Sequence, residues 1–445
     1  MRNLLIIMVD EMRSDIAYHE AYEYVRTPHI DRLRAEGITC RNAFSVYPIC
    51  GPSRASIMTG RYPKQIGVLT NTCLLPPEER TIGHHLRDCG YETVAFGKTH
   101  GQNPGFRVFR EPSHAAHLGT DSGGWNNADG TPLVGELPGE TDNHFDFVLT
   151  NEVEKYLNKR DESQPLAMYV GFHTPHPPFY MPQEFYELYD PAEIDPPSED
   201  EAIFATKPQV QHKMAKSTRY LYYDHVTRQK VIAAYLAQIT MVDVAIGRLL
   251  ASFEQRGLLD NTVVVFISDH GEQLGQHNML GKQNNFYEGS LRSPLVFRLP
   301  DQAHAGTDIT TLIEFVDVVP TICDALGVCT PYNVAGKSFQ PAFEDSSYVH
   351  RDYVHSMSVE HRAIPDTNED FTRGEMVRTN RWKLAVYTDG DGELYDLETD
   401  PDECVNRFQD PELASIKIEL LEEMVKHQLQ YTRDATLWGS NRFRG

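Results

Sequence analysis

The sequence is poor in cysteine, in basic residues and in long apolar runs, and each shortage excludes a class of protein. The 7 cysteines are odd in number, irregularly spaced and without a Cys-x-x-Cys pair, which argues against a disulfide framework and a thiolate zinc site. No Asn-x-Ser/Thr sequon occurs, and no apolar run is expected to be long enough to span a membrane. Only 41 Lys and Arg stand against 64 Asp and Glu, giving a net charge of −23. This acidity predicts that the chain binds neither nucleic acid nor an anionic membrane surface.

The first ten residues contain a short apolar run. It is too short for a secretory signal peptide, and no small-residue cleavage site follows it. We interpret it as the first buried strand of the fold. Together with the unpaired cysteines and the missing sequons, this predicts a cytoplasmic protein.

Short apolar segments alternate with helical patterns over most of the chain. The candidate strands are residues 4–9, 92–96, 166–172, 263–267 and 294–297. Between them, Thr27 is expected to cap a helix that begins at Pro28, and a long apolar stripe predicts a helix over 228–256. Such alternation implies an α/β fold, a mainly parallel sheet flanked by helices on both faces. Ligand sites in such folds gather at the carboxyl ends of the strands.

The pattern changes after about residue 343. Closely spaced strand candidates at 375–379, 382–387 and 393–396, with an Asp389-Gly390 turn signal, are followed by a helical pattern over 411–430. We therefore predict two domains. An α/β catalytic domain covers 1–343, and a smaller C-terminal α+β domain with a small antiparallel sheet and a terminal helix covers 344–445.

The most informative segment is Cys-Gly-Pro-Ser-Arg-Ala-Ser-Ile-Met-Thr-Gly-Arg, residues 50–61. Pro52 fits the first turn of a helix, and Gly60 fits its end. Cys50 would then lie at a helix N-terminus, where the dipole and the free N–H groups favour negative charge. Arg54 follows one helical turn later and faces the same spot. The segment therefore predicts a place for a reactive group and an anion.

Two acidic pairs follow predicted strands. Asp10-Glu11 comes directly after the first strand, and Asp269-His270 comes directly after the strand over 263–267. The carboxyl ends of parallel strands meet at one edge of a sheet, so the two pairs can converge on one ion. Carboxylates with one imidazole suit Ca²⁺, Mg²⁺ or Mn²⁺ better than a thiolate-seeking metal. A single strand-end Asp is often only a turn cap, but two such pairs favour a cation site.

Residues 50–61 resemble the sulfatase signature, Cys-x-Pro-Ser-Arg followed by Thr-Gly-Arg. Three further segments resemble motifs of that family: Gly97-Lys98-Thr99-His100, the run from His173 to His176, and Gly281-Lys282. The resemblance implies an alkaline-phosphatase-like core. It also implies that a formylglycine-generating enzyme converts the cysteine to formylglycine, an aldehyde whose hydrate is the nucleophile.

The resemblance assigns roles residue by residue. Those implied to act in catalysis are Cys50, Arg54, Lys98, His100, His176 and Lys282. Those implied to hold Ca²⁺, with Mn²⁺ or Mg²⁺ as alternatives, are Asp10, Glu11, Asp269, His270 and the hydrate oxygen at Cys50. Glu11 departs from the Asp or Gln that is usual in the family. Substrate contacts are implied for Asn71 and His173, for which a purely structural role stays open.

Three functions remain open at this level. The first is hydrolysis of a small-molecule or saccharide sulfate ester. The second is hydrolysis of a phosphonate monoester or phosphodiester at the same site, because the Asp269-His270 pair is also found in phosphonate monoester hydrolase-like and choline-sulfatase-like members. The third is a catalytically silent member that binds an anion or a metal. An oligomer is compatible with each of them.

Overall fold

The computed structural model describes residues 1–102, 105–110, 130–197, 201–282, 285–359 and 372–431. The described strands are β1 (Asn3–Val9), β2 (Ile38–Cys40), β3 (Ala43–Phe44), β4 (Glu92–Gly97), β5 (Arg107–Arg110), β6 (Val134–Glu136), β7 (Leu166–Gly171), β8 (Phe179–Met181), β9 (Thr262–Ser268), β10 (Leu295–Arg298), β11 (Thr307–Ile309), β12 (Ile313–Glu314), β13 (Val354–Val359), β14 (Arg373–Arg378), β15 (Trp382–Tyr387) and β16 (Gly392–Asp396). The described α-helices are α1 (Ser14–Ala17), α2 (Pro28–Ala35), α3 (Cys50–Thr59), α4 (Pro63–Ile66), α5 (Ile82–Asp88), α6 (Phe145–Leu157), α7 (Gln183–Tyr186), α8 (Gln209–Thr218), α9 (His225–Glu254), α10 (Glu288–Leu291), α11 (Val318–Leu326), α12 (Pro341–Glu344) and α13 (Ala414–Tyr431).

The main sheet has eight strands in the order β11-β2-β10-β9-β1-β7-β4-β5. Strand β1 lies in the centre and pairs in parallel with both β7 and β9. Strand β10 runs antiparallel to its neighbours β9 and β2. The predicted mainly parallel α/β sheet is confirmed, and all five predicted strands are present with shifts of one residue at most at each end.

Both faces of this sheet are covered, which explains why its central strands are apolar along their whole length. In β1 the side chains of Leu5 and Ile7 belong to one buried cluster, together with α9 and α6. Leu4 and Ile6 belong to a second cluster on the opposite face, together with α11. Because successive side chains of a strand point to opposite faces, a continuous apolar run signals a strand buried on both sides.

Helix α9 is the longest described helix and lies in the core. It is long and apolar enough by length and composition to cross a membrane, so the expectation that no segment has this length is wrong. However, 89% of its most apolar window is buried inside the fold. The helix therefore serves as a core helix of this sheet, where burial accounts for its apolar character.

Helix α2 begins at Pro28 as predicted, but its cap differs from the prediction. The Thr27 side chain makes no capping hydrogen bond. Instead, the buried carboxylate of Asp243 in α9 accepts hydrogen bonds from the backbone N–H groups of His29, at 3.1 Å, and Ile30, at 2.7 Å. A tertiary contact thus satisfies the free N–H groups that sequence reasoning assigned to a local cap.

A second sheet of four antiparallel strands, in the order β13-β14-β15-β16, follows the main sheet in the chain. Helix α13 packs on it through Leu420 and Met424. The smaller antiparallel unit with its terminal helix is therefore confirmed as architecture, with strand β13 in addition to the three predicted strands. The domain boundary at residues 343 and 344 stays a prediction.

Candidate active site

The candidate site lies at the carboxyl ends of four adjacent parallel strands. Asp10 follows β1, Asp269 follows β9, Lys98 follows β4, and the segment ending at His176 follows β7. Because β9, β1, β7 and β4 are neighbours in the sheet, residues far apart in sequence meet at one edge. This is the location expected for a ligand site in a parallel sheet.

Helix α3 brings Cys50 to this edge. Cys50 is the first residue of the helix, and Gly60 ends it with φ of 65°, a left-handed conformation that suits glycine. The helix is buried along its whole length. It is anchored by Ser53, whose hydroxyl donates to the carbonyl oxygen of Asp269 at 2.5 Å. The N-terminus of α3 therefore faces the acidic residues at the ends of β1 and β9.

The Cys50 side chain is surrounded by titratable groups. Its Sγ lies 3.1 Å from Nε2 of His270 and 3.6 Å from Oδ1 of Asp10. Burial by itself raises the pKa of the Cys50 thiol, but the positive charges of Lys282 and Lys98 outweigh burial and hold this pKa well below its ordinary value. The pocket is thus built to stabilise negative charge at residue 50.

Arg54 lies beneath this cluster and is buried. Its Nε donates to Oδ2 of Asp269 at 2.7 Å, and its Nη2 donates to Oδ2 of Asp10 at 3.1 Å. Its Nη1 donates to the carbonyl oxygen of Lys98 and to the hydroxyl of Tyr169, both at 2.8 Å. Arg54 therefore fixes the two aspartates and the end of β4, and its direct contact with a substrate oxygen stays a prediction.

Lys98 is the second basic partner of Asp10. Its Nζ forms an ion pair with Oδ2 of the aspartate. Although burial raises the pKa of Asp10 and the neighbouring Cys50 also raises it, the cations Lys98, His176 and Arg54 hold this pKa below its ordinary value. Asp10 is therefore a carboxylate at neutral pH, the state that a metal ligand needs.

Glu11 pairs with residues expected at the substrate. Its Oε2 accepts from Nζ of Lys282 at 2.6 Å and lies 3.4 Å from Nε2 of His176. Burial raises the pKa of Glu11 well above its ordinary value, against the opposing effect of Lys282. Its other oxygen, Oε1, is buried and has no other hydrogen-bonding group than the nearby Glu272 carboxyl among the described residues, and Glu272 adds to the rise in the pKa of Glu11. Glu11 thus belongs to the site, while its role as a metal ligand stays a prediction.

The donor set fits a hard divalent cation. Asp10, Cys50, Asp269 and His270 each present one ligand atom, and these atoms lie within 4.8 Å of one another. The two aspartates and the histidine have no exposed surface. Two buried carboxylates side by side need positive charge nearby, which Arg54 and Lys98 supply in this structure and to which a bound cation would add. The buried Oε1 of Glu11 is a further oxygen available to such a cation.

His100 and His176 also reach the sulfur. A hydrogen bond from His100 lowers the pKa of Cys50. His176 makes a hydrogen bond to Cys50 as well, but burial and the nearby Lys282 lower the pKa of His176 below its ordinary value. His176 Nδ1 lies 2.6 Å from the carbonyl oxygen of Pro177, which fixes its ring. The structure therefore brings together all six residues assigned to catalysis.

The two residues assigned to the substrate lie in different settings. Asn71 contacts the nucleophile helix, because its Oδ1 accepts from the backbone N–H of Gly51 at 2.8 Å. The buried ring of His173 packs edge-on against Phe145, with ring centroids 4.6 Å apart, and its backbone N–H donates to Asp146 at 3.4 Å. Asn71 thus borders the reactive residue, whereas the contacts of His173 are those of a packed histidine. Substrate contact stays a prediction for both.

Two residues of the site were not predicted from the sequence. Tyr169 donates its hydroxyl proton toward the carbonyl oxygen of Lys98 at 2.7 Å, yet in the sequence it resembles any aromatic residue of a buried strand. Glu272 accepts from the backbone N–H of Gly281 at 2.6 Å and so positions Lys282. Its place two residues after His270 was the available hint.

Comparison with known proteins agrees with this geometry. The sequence model of the family described as Sulfatase matches residues 2–328, and that of N-sulphoglucosamine sulphohydrolase, C-terminal, matches residues 275–430. The chain is 28% identical to the multifunctional alkaline phosphatase superfamily protein PehA of Trinickia caryophylli, over 98% of this chain and 96% of the relative. It is 27% identical to an arylsulfatase of Clostridium perfringens, over 100% of this chain and 97% of the relative.

A solved structure shows the same fold. The phosphonate monoester hydrolase of Silicibacter pomeroyi superposes with a TM-score of 0.85 and 25% identity, over 98% of this chain and 97% of that one. The expected alkaline-phosphatase-like core is thereby confirmed. Since the first family model spans well over half of the sequence, the chain belongs to the sulfatase family of sulfuric ester hydrolases.

Proposed function

We propose that this protein hydrolyses sulfate esters with a formylglycine derived from Cys50. The observation that carries the proposal is the position of Cys50. It is the first residue of a buried helix, with His270 at 3.1 Å from its sulfur and two lysines lowering its pKa. A buried thiol in a purely structural role would lie among apolar side chains, where its pKa rises.

The proposed nucleophile requires a modification. Conversion of Cys50 by a formylglycine-generating enzyme supplies an aldehyde whose hydrate attacks sulfur. The N-terminus of α3 and the basic side chains of Lys98 and Lys282 favour negative charge at that residue before and after conversion. Full burial excludes bulk water, so these charges act in a medium of low dielectric.

The basic side chains also bind the sulfate group. Lys98 and Lys282 both lie close enough to Cys50 to lower its pKa, and they pair with Asp10 and Glu11 respectively. In the proposed complex, the two lysine ammonium groups contact the sulfate oxygens while the carboxylates keep them in position. As N–H donors, they stabilise the negative charge that grows on these oxygens in the transition state. Arg54 contributes by forming ion pairs with Asp10 and Asp269, which fix the two aspartates.

Proton transfer falls to the two histidines. Burial and Lys282 lower the pKa of His176 in the free protein. The negative charge of a bound sulfate ester would favour its protonated form, which can donate to the leaving alcohol. His100 hydrogen-bonds residue 50 from the loop after β4. Once one hydroxyl of the hydrate has displaced the alcohol from sulfur, His100 would take the proton of the other hydroxyl, so that the aldehyde re-forms as the carbon–oxygen bond to sulfate breaks.

The metal is proposed to be Ca²⁺, with Mn²⁺ or Mg²⁺ as alternatives. Asp10, Asp269 and His270 would hold it together with the side chain of residue 50, and Glu11 offers an additional oxygen. When bound, the ion lowers the pKa of a coordinated hydroxyl and offsets negative charge on the substrate. Oxygen-rich donor sets of this kind favour hard cations over zinc.

The substrate is proposed to be a small-molecule or saccharide sulfate ester, and a second candidate substrate is a phosphonate monoester or phosphodiester. The second is favoured by the TM-score of 0.85 with a phosphonate monoester hydrolase and by the similarity to a relative described as multifunctional. Both reactions place a negatively charged tetrahedral centre beside residue 50. The same basic cluster would serve either.

Paired rate measurements test the proposal. Protein produced with a formylglycine-generating enzyme is assayed on an aryl sulfate and on an aryl ester of phenylphosphonate, with the Cys50→Ala variant as the inactive control. We expect the larger kcat/KM for the sulfate ester, and a loss of both activities in the variant. A larger kcat/KM for the phosphonate would replace the first candidate by the second. Undiminished activity of Cys50→Ala would refute the nucleophile assignment.

A further inference from the structure

A second group of metal-ligating side chains shares no residue with the active site. Glu314 lies in β12, His355 in β13 and His427 in α13. One ligand atom from each lies within 4.8 Å of the other two. We call these three residues the junction cluster, because they come from the end of the α/β part, the second sheet and the terminal helix.

The junction cluster has a compact geometry. Nδ1 of His355 lies 3.4 Å from Oε1 of Glu314, and the backbone N–H of His355 donates to the same oxygen at 2.6 Å. The two imidazole rings are stacked with centroids 3.8 Å apart and planes 10° from parallel. The rings of Tyr62 and His427 are nearly perpendicular, with their centroids 4.6 Å apart. The rings are thus packed against each other inside the fold.

Two histidine nitrogens of the cluster lack a partner, and a third has a weak one. Nε2 of His355 and Nε2 of His427 are buried without a hydrogen-bond partner among the described residues, and Nδ1 of His355 has its 3.4 Å contact with Glu314. His355 is only 8% exposed. A buried polar atom without a partner costs free energy, and native folds rarely leave several together. A ligand that accepts nitrogen lone pairs would remove this cost.

The surrounding charges leave one face of Glu314 available. Its Oε2 is occupied by Arg351, at 3.2 Å, and by the hydroxyl of Tyr62. Its Oε1 faces His355. Lys64, the other nearby cation, forms an ion pair with Glu375. The positive charges around the cluster are thus matched by carboxylates, and Oε1 remains directed at the imidazole nitrogens.

We propose that the junction cluster binds one Zn²⁺ ion and thereby joins the C-terminal helix to the rest of the fold. Two imidazoles and one carboxylate are donors that suit zinc, in contrast to the oxygen-rich site near Cys50. Zinc–nitrogen bonds of about 2.0–2.1 Å require the ligands to move closer together, and one stacked ring has to turn. Among the described residues, the ring nitrogens of His355 have only the 3.4 Å contact of Nδ1 with Glu314 to oppose such a turn. Water can complete the coordination.

The test compares zinc binding among variants of the whole chain. All of them carry Cys50→Ala and are saturated with Ca²⁺, so that zinc uptake at the active site is suppressed. ZnCl₂ is the probe, and equilibrium dialysis gives bound zinc per chain. His427→Phe keeps an aromatic ring for packing and removes the nitrogens, whereas His225→Ala removes an exposed histidine. We expect His427→Phe to lose one bound Zn²⁺ and the zinc-dependent rise in Tm. His225→Ala retains both.

Equal zinc binding by the His427→Phe variant and its parent would overturn the proposal. If His427→Phe does not fold, crystals of the parent soaked in ZnCl₂ decide the matter by anomalous diffraction at the zinc edge. A peak bonded to His355 and His427 supports the site. Zinc found only elsewhere, or nowhere, contradicts it.

Discussion

At the scale of residues, the site is a set of buried charges that balance one another around Cys50. Lys98 pairs with Asp10, Lys282 pairs with Glu11, and Arg54 bridges Asp10 and Asp269. A buried charge whose partner is removed is costly, so each of these contacts stabilises the arrangement of the site. The lysines nearest to Cys50 hold the pKa of its thiol well below the ordinary value.

Lys282 provides the first prediction at this scale. Replacing it with Ala removes a cation beside residue 50 and leaves Glu11 without its main partner. We expect kcat/KM for a sulfate ester to fall on the order of 10²- to 10³-fold, as for other transition-state donors. Steady-state kinetics measures this. The exposed Lys155 is the matched control, since Lys155→Ala removes a lysine that pairs with Glu152 at the surface. Equal losses in the two variants would contradict the assignment.

Metal removal gives the second prediction. Because Asp10 and Asp269 are fully buried side by side, a chelator that strips the cation exposes their mutual repulsion. We expect EDTA treatment followed by desalting to abolish turnover and lower Tm, and added Ca²⁺ to restore both. Activity assays and differential scanning calorimetry follow the cycle. Full activity in protein shown to be metal-free by elemental analysis would exclude a catalytic cation.

At the scale of elements, a long-range contact replaces the local cap that the sequence suggests for α2. The carboxylate of Asp243 in α9 closes the N-terminus of α2. Burial raises the pKa of Asp243 to about 7, although the backbone N–H groups of Ile30 and His29 oppose this rise. Between about pH 4 and pH 7, the folded protein therefore holds a proton on Asp243 that the unfolded chain has lost.

This predicts a pH dependence of stability. A carboxyl whose pKa is higher in the folded state than in the unfolded chain makes stability fall as pH rises from about 4 to 7. The full effect is at most about 4 kcal/mol. Asp243→Asn should flatten this fall in urea unfolding curves measured across that pH range. The control is Asp224→Asn at the exposed cap of α9, where the amide oxygen can still accept from Thr227 and only the titrating charge is lost. The lowered pKa of Asp224 adds stability above about pH 4, which is opposite in sign to the effect of Asp243. An unchanged slope in Asp243→Asn would refute the prediction.

The elements also show what the sequence could and could not predict. The run from Cys50 to Gly60 identified helix α3 and its two ends, because proline, glycine and a helix terminus have strong local preferences. The strand-end pairs after β1 and β9 were found because alternation implied a parallel sheet. The partners of Arg54 and Glu11 could not be predicted, since they depend on side-chain torsions and on the order of strands in the sheet. Short edge strands such as β11 lack a periodic pattern long enough to detect.

At the scale of the whole molecule, the second sheet is held to the α/β part by buried ion pairs. Lys383 in β15 lies 2.7 Å from Glu288 and 2.6 Å from Glu403, and it also donates to the carbonyl oxygen of Phe286 at 2.9 Å. Its side chain is 2% exposed. One buried cation thus connects α10, a loop after β16 and the second sheet.

Loss of this lysine should separate the two parts of the fold. Lys383→Ala leaves two buried carboxylates with less compensation, and removal of one member of a buried ion pair typically costs about 3–5 kcal/mol. We expect a lower midpoint in urea unfolding and a separate early transition. The exposed Lys426 serves as the control, and Lys426→Ala should leave the curve unchanged. A Lys383→Ala variant as stable as the parent would show that these pairs do not hold the junction.

We propose above that residue 50, once converted from cysteine, performs the chemistry. Peptide mass mapping of the segment around Cys50 in preparations with different degrees of conversion, combined with the turnover rate of each on an aryl sulfate, tests this. We expect a rate that is proportional to the formylglycine fraction and extrapolates to zero at zero conversion. The same rate in fully unconverted protein would contradict the proposal.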